Sequence, residues 1–224
     1  MIIAIDGPAA AGKGTIARRL ALYFGLHYLD TGLLYRAVAA IIAARRLNAD
    51  DEWASVAIAS NLTLSDLAGA ELRSETIGRL ASIVAVQPAL RHALLGFQRS
   101  FAMNAPGAVL DGRDIGTVVC PDAAVKLFVT ASAEVRARRR TDELIAYGTP
   151  ASYREILDEI QARDDLDRSR EVSPLAIADG ATLIDTSALT IDAAFDIAVE
   201  VARQTGAFKV PNEVHRKALE VTMD

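Results

Sequence analysis

The sequence predicts an α/β fold in which a five-stranded parallel sheet is flanked by helices. The first observation behind this prediction is that short apolar runs alternate with longer segments of helical periodicity, which is typical of a parallel sheet. The second is a glycine-rich loop that directly follows the first apolar run and directly precedes a helical segment. The five runs predicted as strands are residues 2–6, 27–29, 108–111, 125–129 and 181–185.

Composition excludes several classes of protein. The net charge of −5, from 29 acidic and 24 basic residues among 224, argues against binding to a nucleic-acid polymer. The longest purely apolar run, residues 37–44, is too short to cross a bilayer, so no membrane partner is expected. The single cysteine, Cys120, and the lack of a basic leader favour a cytoplasmic location. Three scattered histidines form no zinc or haem pattern.

Helices are predicted from apolar periodicity and from capping residues. In the first, residues 13–24, Ile16 and Leu20 share one side. Ser132 and Ser152 are predicted N-caps, because a hydroxyl can accept a backbone N–H of the first turn. Segment 61–72 shows no helical periodicity and is predicted as a short strand or hairpin. The remaining predicted helices cover residues 32–46, a segment starting near 53, 74–86, 88–103 and 191–204.

The glycine-rich loop has the spacing G-x-x-x-x-G-K, from Gly7 to Gly12 and Lys13. Between a strand and a helix this spacing predicts a phosphate-binding loop, since backbone N–H groups and the helix N-terminus attract an anion. The hydroxyl expected after the lysine is displaced by one position, because Gly14 precedes Thr15. The loop indicates a nucleoside triphosphate but no particular reaction, because switches, motors and small-molecule kinases share it.

Arginines outnumber lysines by 20 to 4, and many of them fall in clusters. A planar guanidinium suits bidentate contacts with phosphate, so the clusters indicate an anionic second substrate. A solvated charged helix face is the alternative for each cluster. Four like charges on one helix are costly unless an anion compensates them, as in phosphoryl transfer. The clusters are Thr31 with Arg36; Asp111, Arg113 and Asp114; Arg136, Arg138, Arg139 and Arg140; and Arg163, Asp167 and Arg170.

Five segments together resemble the bacterial-type cytidylate kinases, which are nucleoside-monophosphate kinases. The resemblance spans residues 2–205 and implies a phosphate-loop kinase fold with a core of about 1–60, 88–131 and 171–205. It also implies a monophosphate-binding insert of about 61–87, here short and with little or no sheet, and a mobile lid of about 136–163. A tail, 206–224, lies outside the resemblance. The segments are IDGPAAAGKGT, LDTGLLYR, Ala81-Ser82 with Arg91, DGRDIGTVVCPDA, and RDDLDRSR followed by Pro174-Leu175.

The resemblance implies transfer of the γ-phosphate of ATP to CMP or dCMP, with Mg²⁺ as the metal. It assigns ATP binding to the loop and substrate binding to the clusters. Expected around ATP are Gly7, Gly12, Lys13, Gly14 and Thr15, and expected at the metal are Thr15 and Asp111. Expected catalytic groups are Lys13, Arg113, Arg136, Arg139 and Arg140, the last three facing the phosphates or the adenine from the lid.

The resemblance also distributes the CMP-binding residues among the parts of the substrate. Expected at the CMP phosphate are Arg36, Arg113 and Arg170, with Thr31 close by. Expected at the cytosine edge are Ser82, Arg91 and Asp114, and at the sugar Arg163 and Asp167. Two alternatives stay open, namely a kinase of the uridylate or shikimate type and a nucleotide-dependent switch without a small-molecule substrate. The chain is expected to act as a monomer.

Overall fold

The computed structural model of the chain describes residues 1–206. Within it the chain forms two compact units: the first contains Met1–Leu29 and the chain from Ala102 onward, and the second is Asp30–Phe101. These boundaries differ from the predicted core, insert and lid, and that finer division stays a prediction. The predicted tail falls almost wholly on residues 207–224, which lie outside the described part of the chain.

The first unit is built on a five-stranded sheet, which confirms the predicted fold class. The strand order is β2-β3-β1-β4-β5, and β1 pairs in parallel with both β3 and β4. In this register Asp6 at the end of β1 lies opposite Gly112 of β3 and Phe128 of β4. The strands are β1 Ile2–Asp6, β2 His27–Asp30, β3 Ala108–Gly112, β4 Val125–Thr130 and β5 Thr182–Asp185. Their carboxyl ends form one edge, where open α/β sheets bind ligands.

Eight α-helices connect and flank these strands in the described residues. Ser132 caps its helix by accepting the N–H of Val135, whereas Ser152 occupies the N-cap position without a side-chain capping bond. The helices are α1 Lys13–Phe24, α2 Gly32–Ala44, α3 Glu52–Ala59, α4 Glu75–Val84, α5 Pro88–Met103, α6 Ala133–Ala146, α7 Tyr153–Ser169 and α8 Ile191–Gln204. Within residues 1–206 no single helix could cross a membrane, although α4 and α5, bent by 105°, pass the length and composition test as a pair.

The predicted strand or hairpin at 61–72 is wrong. The structure has two 3₁₀ turns there, Leu64–Leu67 and Ala70–Arg73. Thr63 and Asp66 form a capping box, in which the Thr63 N–H donates to the Asp66 carboxylate at 2.8 Å. Such local side-chain bonds compete with strand pairing and favour turns. Residues 61–87 contain no strand in the structure, in agreement with the expectation of little or no sheet in this segment.

A second difference concerns residues after β3, where the structure has a π-helical turn, Ile115–Val119. Its wide hydrogen bonds join the Val119 N–H to Asp114 O and the Cys120 N–H to Ile115 O. Cys120, the one cysteine of the chain, is buried at the end of this turn. Turns of this kind are frequent at functional sites.

Candidate active site

The phosphate loop leaves the carboxyl end of β1 and enters α1 at Lys13. Three of its residues have positive φ: Gly7 at 144°, Ala10 at 58° and Gly12 at 88°. A Cβ on Gly7 would lie 1.9 Å from the carbonyl oxygen of Val129, so only glycine fits against β4. Alternating left- and right-handed backbone of this kind turns successive N–H groups toward one point and forms an anion nest. The predicted strand–loop–helix context of the motif is therefore present.

Lys13 is buried, and its Nζ donates to the carbonyl oxygen of Pro8 at 2.9 Å. The lysine thus folds back over its own loop and carries a positive charge into the nest. Two further carbonyls of the loop accept side-chain donors from distant parts of the first unit. Arg136 Nη1 donates to Ala9 O at 3.2 Å, and Thr186 Oγ1 donates to Ala11 O at 3.2 Å.

Asp111, the predicted metal-site carboxylate, lies beside the first turn of α1. Its Oδ2 would be 3.2 Å from a Cβ on Gly14, so a larger residue there would crowd the carboxylate. The same oxygen accepts the phenol proton of Tyr28 at 3.0 Å. Gly14 therefore leaves room for Asp111, whereas the Thr15 side chain is exposed. Sequence reasoning missed Tyr28, because nothing local connects it with a carboxylate 83 residues away.

Asp6, also missed from the sequence, ties the end of β1 to the π-helical turn. Its carboxylate accepts the Ile115 N–H at 2.8 Å and the Gly116 N–H at 2.7 Å. Burial raises the pKa of Asp6 to about 6, and the nearby charge of Asp114 also raises it, against the lowering effect of these N–H groups and of Lys13. The two bonds fix the start of the turn, and therefore the backbone that carries Asp114.

Asp167, on α7, lies close to several arginine side chains. Arg113 Nε donates to it at 2.7 Å, and Arg170 Nη1 lies 3.5 Å from its other oxygen. Burial alone would raise the pKa of Asp167, but the charge and hydrogen bond of Arg113, with the charges of Arg163 and Arg170, outweigh burial and lower it. The structure thus brings together the predicted cluster at the end of β3 and the predicted cluster on α7, although the roles predicted for them stay predictions.

The helix α6 arginines have partners within the first unit. Arg136 is almost fully buried and forms a bidentate ion pair with Asp164 of α7, at 3.0 and 2.6 Å. Arg139 donates to the hydroxyl and to the carbonyl oxygen of Thr186, at 2.9 and 2.7 Å. Arg140 pairs with Glu143 one turn along its own helix. The partners Asp164 and Thr186 carried no signal in the sequence, since both are long-range neighbours.

Four predicted CMP-binding residues belong to the second unit. Arg36 donates to the carbonyl oxygens of Leu72 and Ser74, at 2.6 and 3.2 Å, and its guanidinium packs against Gly78. A Cβ on Gly78 would lie 2.8 Å from Arg36 Nη2, so a side chain there would displace the guanidinium. Ser82 donates to Gly78 O at 3.1 Å, so Ser82 and the Arg36 guanidinium both lie next to Gly78.

The other two residues of this set lie elsewhere in the second unit. Arg91 is buried, donates to Ala85 O at 3.0 Å and lies over the ring of Tyr35 at 5.3 Å. Thr31 is buried at the N-cap position of α2. Asp30 accepts the Gly32 N–H there at 3.0 Å, so the side-chain cap of this helix comes from Asp30.

Comparison with known proteins shows which family this chain resembles in sequence. The sequence profile of the cytidylate kinase family matches residues 3–204. The chain is 55% identical over 197 residues to a cytidylate kinase of Rhizobium meliloti, covering 88% of this chain and 93% of that one. It is 54% identical over 208 residues to a cytidylate kinase of Xanthobacter autotrophicus, covering 92% of this chain and all of that one.

Among solved structures, an uncharacterized protein from Eubacterium ventriosum aligns with a TM-score of 0.53 at 14% identity. The alignment covers 91% of this chain and 98% of that one, and at this identity it shows a shared fold alone. A parallel sheet with a phosphate loop at its carboxyl edge and buried arginines beside it is consistent with a phosphate-loop nucleoside-monophosphate kinase. The chain belongs to the cytidylate kinase family, since the profile and the relatives cover most of its length.

Proposed function

We propose that this protein transfers the γ-phosphoryl group of ATP to CMP or dCMP and releases CDP or dCDP. The match to the cytidylate kinase family over residues 3–204 is the observation that carries the proposal. The nest of the phosphate loop, with Lys13 folded over it, supports binding of the ATP phosphates. Within that loop Gly7, Gly12, Gly14 and Thr15 are the other proposed ATP-binding residues.

The chemistry needs no general base from the protein. The acceptor is a phosphate oxygen of CMP, which is already ionised at neutral pH. Catalysis then depends on holding the two phosphates in line and on compensating the charge that spreads over the transferred group. Lys13, Arg113 and Arg140 are the proposed groups for this compensation.

The arginines around Asp167 support recognition of CMP by the first unit. We propose that Arg113 and Arg170 bind its phosphate, and that Arg163 and Asp167 bind its sugar. Asp114, held next to the Asp6-capped turn, would accept from the exocyclic amine of cytosine. Uracil lacks that donor, and a pocket built to hydrogen-bond a polar group strongly rejects a ligand without it.

For the second unit we propose CMP binding by the four residues described above. Arg36 is a proposed phosphate ligand with Thr31 close by, and Arg91 and Ser82 are proposed cytosine ligands. The hydrogen bonds of Arg36 to Leu72 and Ser74 hold its guanidinium in a fixed orientation, which suits bidentate recognition of phosphate.

Magnesium fits the donor set at the start of α1. Mg²⁺ is usually held by one or two carboxylates together with substrate phosphates, rather than by a cage of protein ligands. The described residues contain no group of three metal-binding side chains, and Asp111 lies buried beside Gly14 at the head of the loop. We propose that Asp111 and the Thr15 hydroxyl hold the metal. Bound magnesium neutralises negative charge on the phosphates.

We further propose a cytoplasmic monomer whose partners are small-molecule nucleotides. A single buried cysteine supports a reducing compartment. The net charge of −5 argues against a nucleic-acid polymer as the partner.

The substrate range tests the proposed function directly. With ATP and Mg²⁺, kcat/KM is measured for CMP, dCMP, UMP and AMP, and the two cytidine nucleotides are expected to lead. Lys13→Met should abolish turnover, whereas Lys126→Met, which removes a lysine bound to Asp179 O, should not. A preference for UMP or AMP would contradict the proposal. ATP turnover that does not respond to CMP would favour the nucleotide switch instead.

A further inference from the structure

Two carbonyl groups of the phosphate loop are held by side chains from outside the loop. Arg136 of α6 donates to Ala9 O, and Thr186, which follows β5, donates to Ala11 O. Both donors are buried in the first unit. Each reaches a part of the loop more than 120 residues away in sequence, so neither contact follows from local chain geometry.

The orientation of these carbonyls determines the orientation of two N–H groups. In a planar trans peptide the C=O of one residue and the N–H of the next point in opposite directions. Both peptides concerned are trans, since the cis bond found among residues 1–206 is at Pro106. With Ala9 O turned to Arg136, the N–H of Ala10 faces away from Arg136. With Ala11 O turned to Thr186, the N–H of Gly12 likewise faces away from Thr186.

The loop backbone needs such support, because Ala10 has a φ of 58°. A residue with a Cβ pays roughly 1 kcal/mol or more in this left-handed region, and it persists there only when the surroundings impose it. The two side-chain bonds lie on either side of Ala10 in the chain. They are therefore placed to hold the nest open for an anion before any ligand arrives.

Each donor is itself fixed by a charged partner. Arg136 also donates from Nε to Ala131 O at 2.9 Å and forms the bidentate pair with Asp164. Arg139 donates to the hydroxyl oxygen of Thr186, so the hydroxyl hydrogen must go to a carbonyl. Two carbonyls lie within reach of that hydrogen, Ala11 O at 3.2 Å and Thr130 O at 3.1 Å, and Thr130 O also accepts the backbone N–H of Thr186 at 2.8 Å. The hydroxyl hydrogen can therefore be donated to Ala11 O.

We propose that Arg136 and Thr186 are positioning residues of the phosphate loop, which aim the Ala10 and Gly12 N–H groups at the ATP phosphates. Asp164 and Arg139 hold these two donors in place. Arg136 and Arg139 then contribute through the loop peptides and need no direct contact with phosphate. The assignment rests on the proposed function in one respect, since it takes ATP as the ligand of the loop.

The first experiment removes one hydroxyl at constant shape. Thr186→Val in the full chain should raise the Kd of ATP about five- to tenfold, as expected for one lost hydrogen bond, measured by calorimetry. The Kd of CMP should change less than about twofold. Thr186→Ser keeps the hydroxyl and should restore ATP binding. Ser187→Ala is the matched control, because it removes a hydroxyl from the same turn that bonds Asp185 and Ser132 instead.

The second experiment separates a positioning arginine from a direct phosphate ligand by the sign of the effect. Asp164→Asn loosens Arg136 without removing its charge. ATP binding should weaken if Arg136 acts through Ala9, whereas a direct ligand released from its ion pair would bind ATP equally or more tightly. Circular dichroism melts show whether each variant is folded, and Thr186→Val stands alone if Asp164→Asn does not fold.

The outcomes distinguish this inference from the proposed function. Wild-type protein that bound no ATP would overturn the proposed function and, with it, the ligand named here. Wild-type binding together with unchanged ATP affinity in Thr186→Val would overturn only the loop assignment. Equal weakening of ATP and CMP by Thr186→Val, or no rescue by Thr186→Ser, would also overturn it.

Discussion

The Asp6 carboxylate shows how one buried residue makes stability depend on pH. Its pKa is raised to about 6 in the folded protein, mainly by burial, against 3.8 for an ordinary aspartate. The folded state therefore holds this proton over a pH range in which the unfolded chain has lost it. By linkage, the stability that Asp6 contributes is fully present below about pH 4 and is lost as the pH rises through 6.

Asp6→Asn should remove this pH dependence. The wild-type free energy of unfolding should fall by up to about 3 kcal/mol between pH 4 and pH 6.5 relative to the variant, since each pKa unit corresponds to about 1.4 kcal/mol. Urea denaturation of both proteins at several pH values measures the difference. The lowered pKa of Asp167 acts in a separate window, at more acid pH. Parallel curves for the two proteins from pH 4 to 6.5 would contradict the prediction.

Replacing Arg113 is expected to lower activity far more than stability. Arg113→Met removes an ion pair with Asp167 that is partly buried, so unfolding should become easier by about 1–2 kcal/mol. Activity should fall about 100-fold or more, because a charged group at the reacting phosphates is lost. Both are measured, as kcat/KM for CMP and as the free energy of unfolding in urea.

Arg19→Met is the matched control for that substitution. It also breaks an arginine–aspartate pair at 2.7 Å, with Asp192 of α8, but it touches none of the proposed binding residues. Its kcat/KM should stay close to the wild-type value. A loss of activity in Arg113→Met no larger than that in Arg19→Met would support the solvated-face alternative for the β3 cluster.

At the scale of elements, the α6–α7 hairpin is the predicted lid. Ala137, Ile156 and Ile160 form a small apolar cluster between its two helices. The Arg136–Asp164 pair joins the helices at the sheet end, so we expect motion in the distal part of the hairpin rather than at this pair. Residues 147–152 connect α6 and α7 at the distal end of the hairpin, and Tyr147 in this connection is 81% exposed.

Limited proteolysis tests lid closure. Chymotrypsin should cleave after Tyr147 in the free protein, and ATP together with CMP should slow this cleavage severalfold, because a closed lid restricts the connection. A non-hydrolysable ATP analogue with CMP serves to keep the complex from turning over. Cleavage at the same rate with and without both nucleotides would contradict a mobile lid.

At the scale of the whole molecule, we expect the chain to act as a monomer. Light scattering after size-exclusion chromatography should give a mass near the 23.9 kDa of one chain. The measurement is made with and without ATP and CMP at several protein concentrations. A mass near twice this value at all concentrations would contradict the expectation.

The parts of the fold that depend on local patterns could be predicted. The alternation of apolar runs with helical segments and the G-x-x-x-x-G-K spacing are local signals, and they predicted the sheet and the phosphate loop. The prediction of a strand or hairpin at 61–72 is wrong, because side-chain capping by Asp66 stabilises turns and outweighs weak apolar patterning. The π-helical turn could not be predicted, since it depends on Asp6, 109 residues away. Residue types in the arginine clusters pointed to anions, but partners such as Asp164 and Thr186 are set by tertiary packing.

The Cys120 thiol can report, by its chemical reactivity, on local opening of the π-helical turn. The thiol is buried at the end of the turn that Asp6 caps, and it is the one thiol of the chain. Reagents such as iodoacetamide react with an exposed thiolate, so alkylation of the native protein should proceed only as fast as this turn opens. The rate of labelling therefore measures the free energy of local opening of the segment that carries Asp114, without any engineered probe.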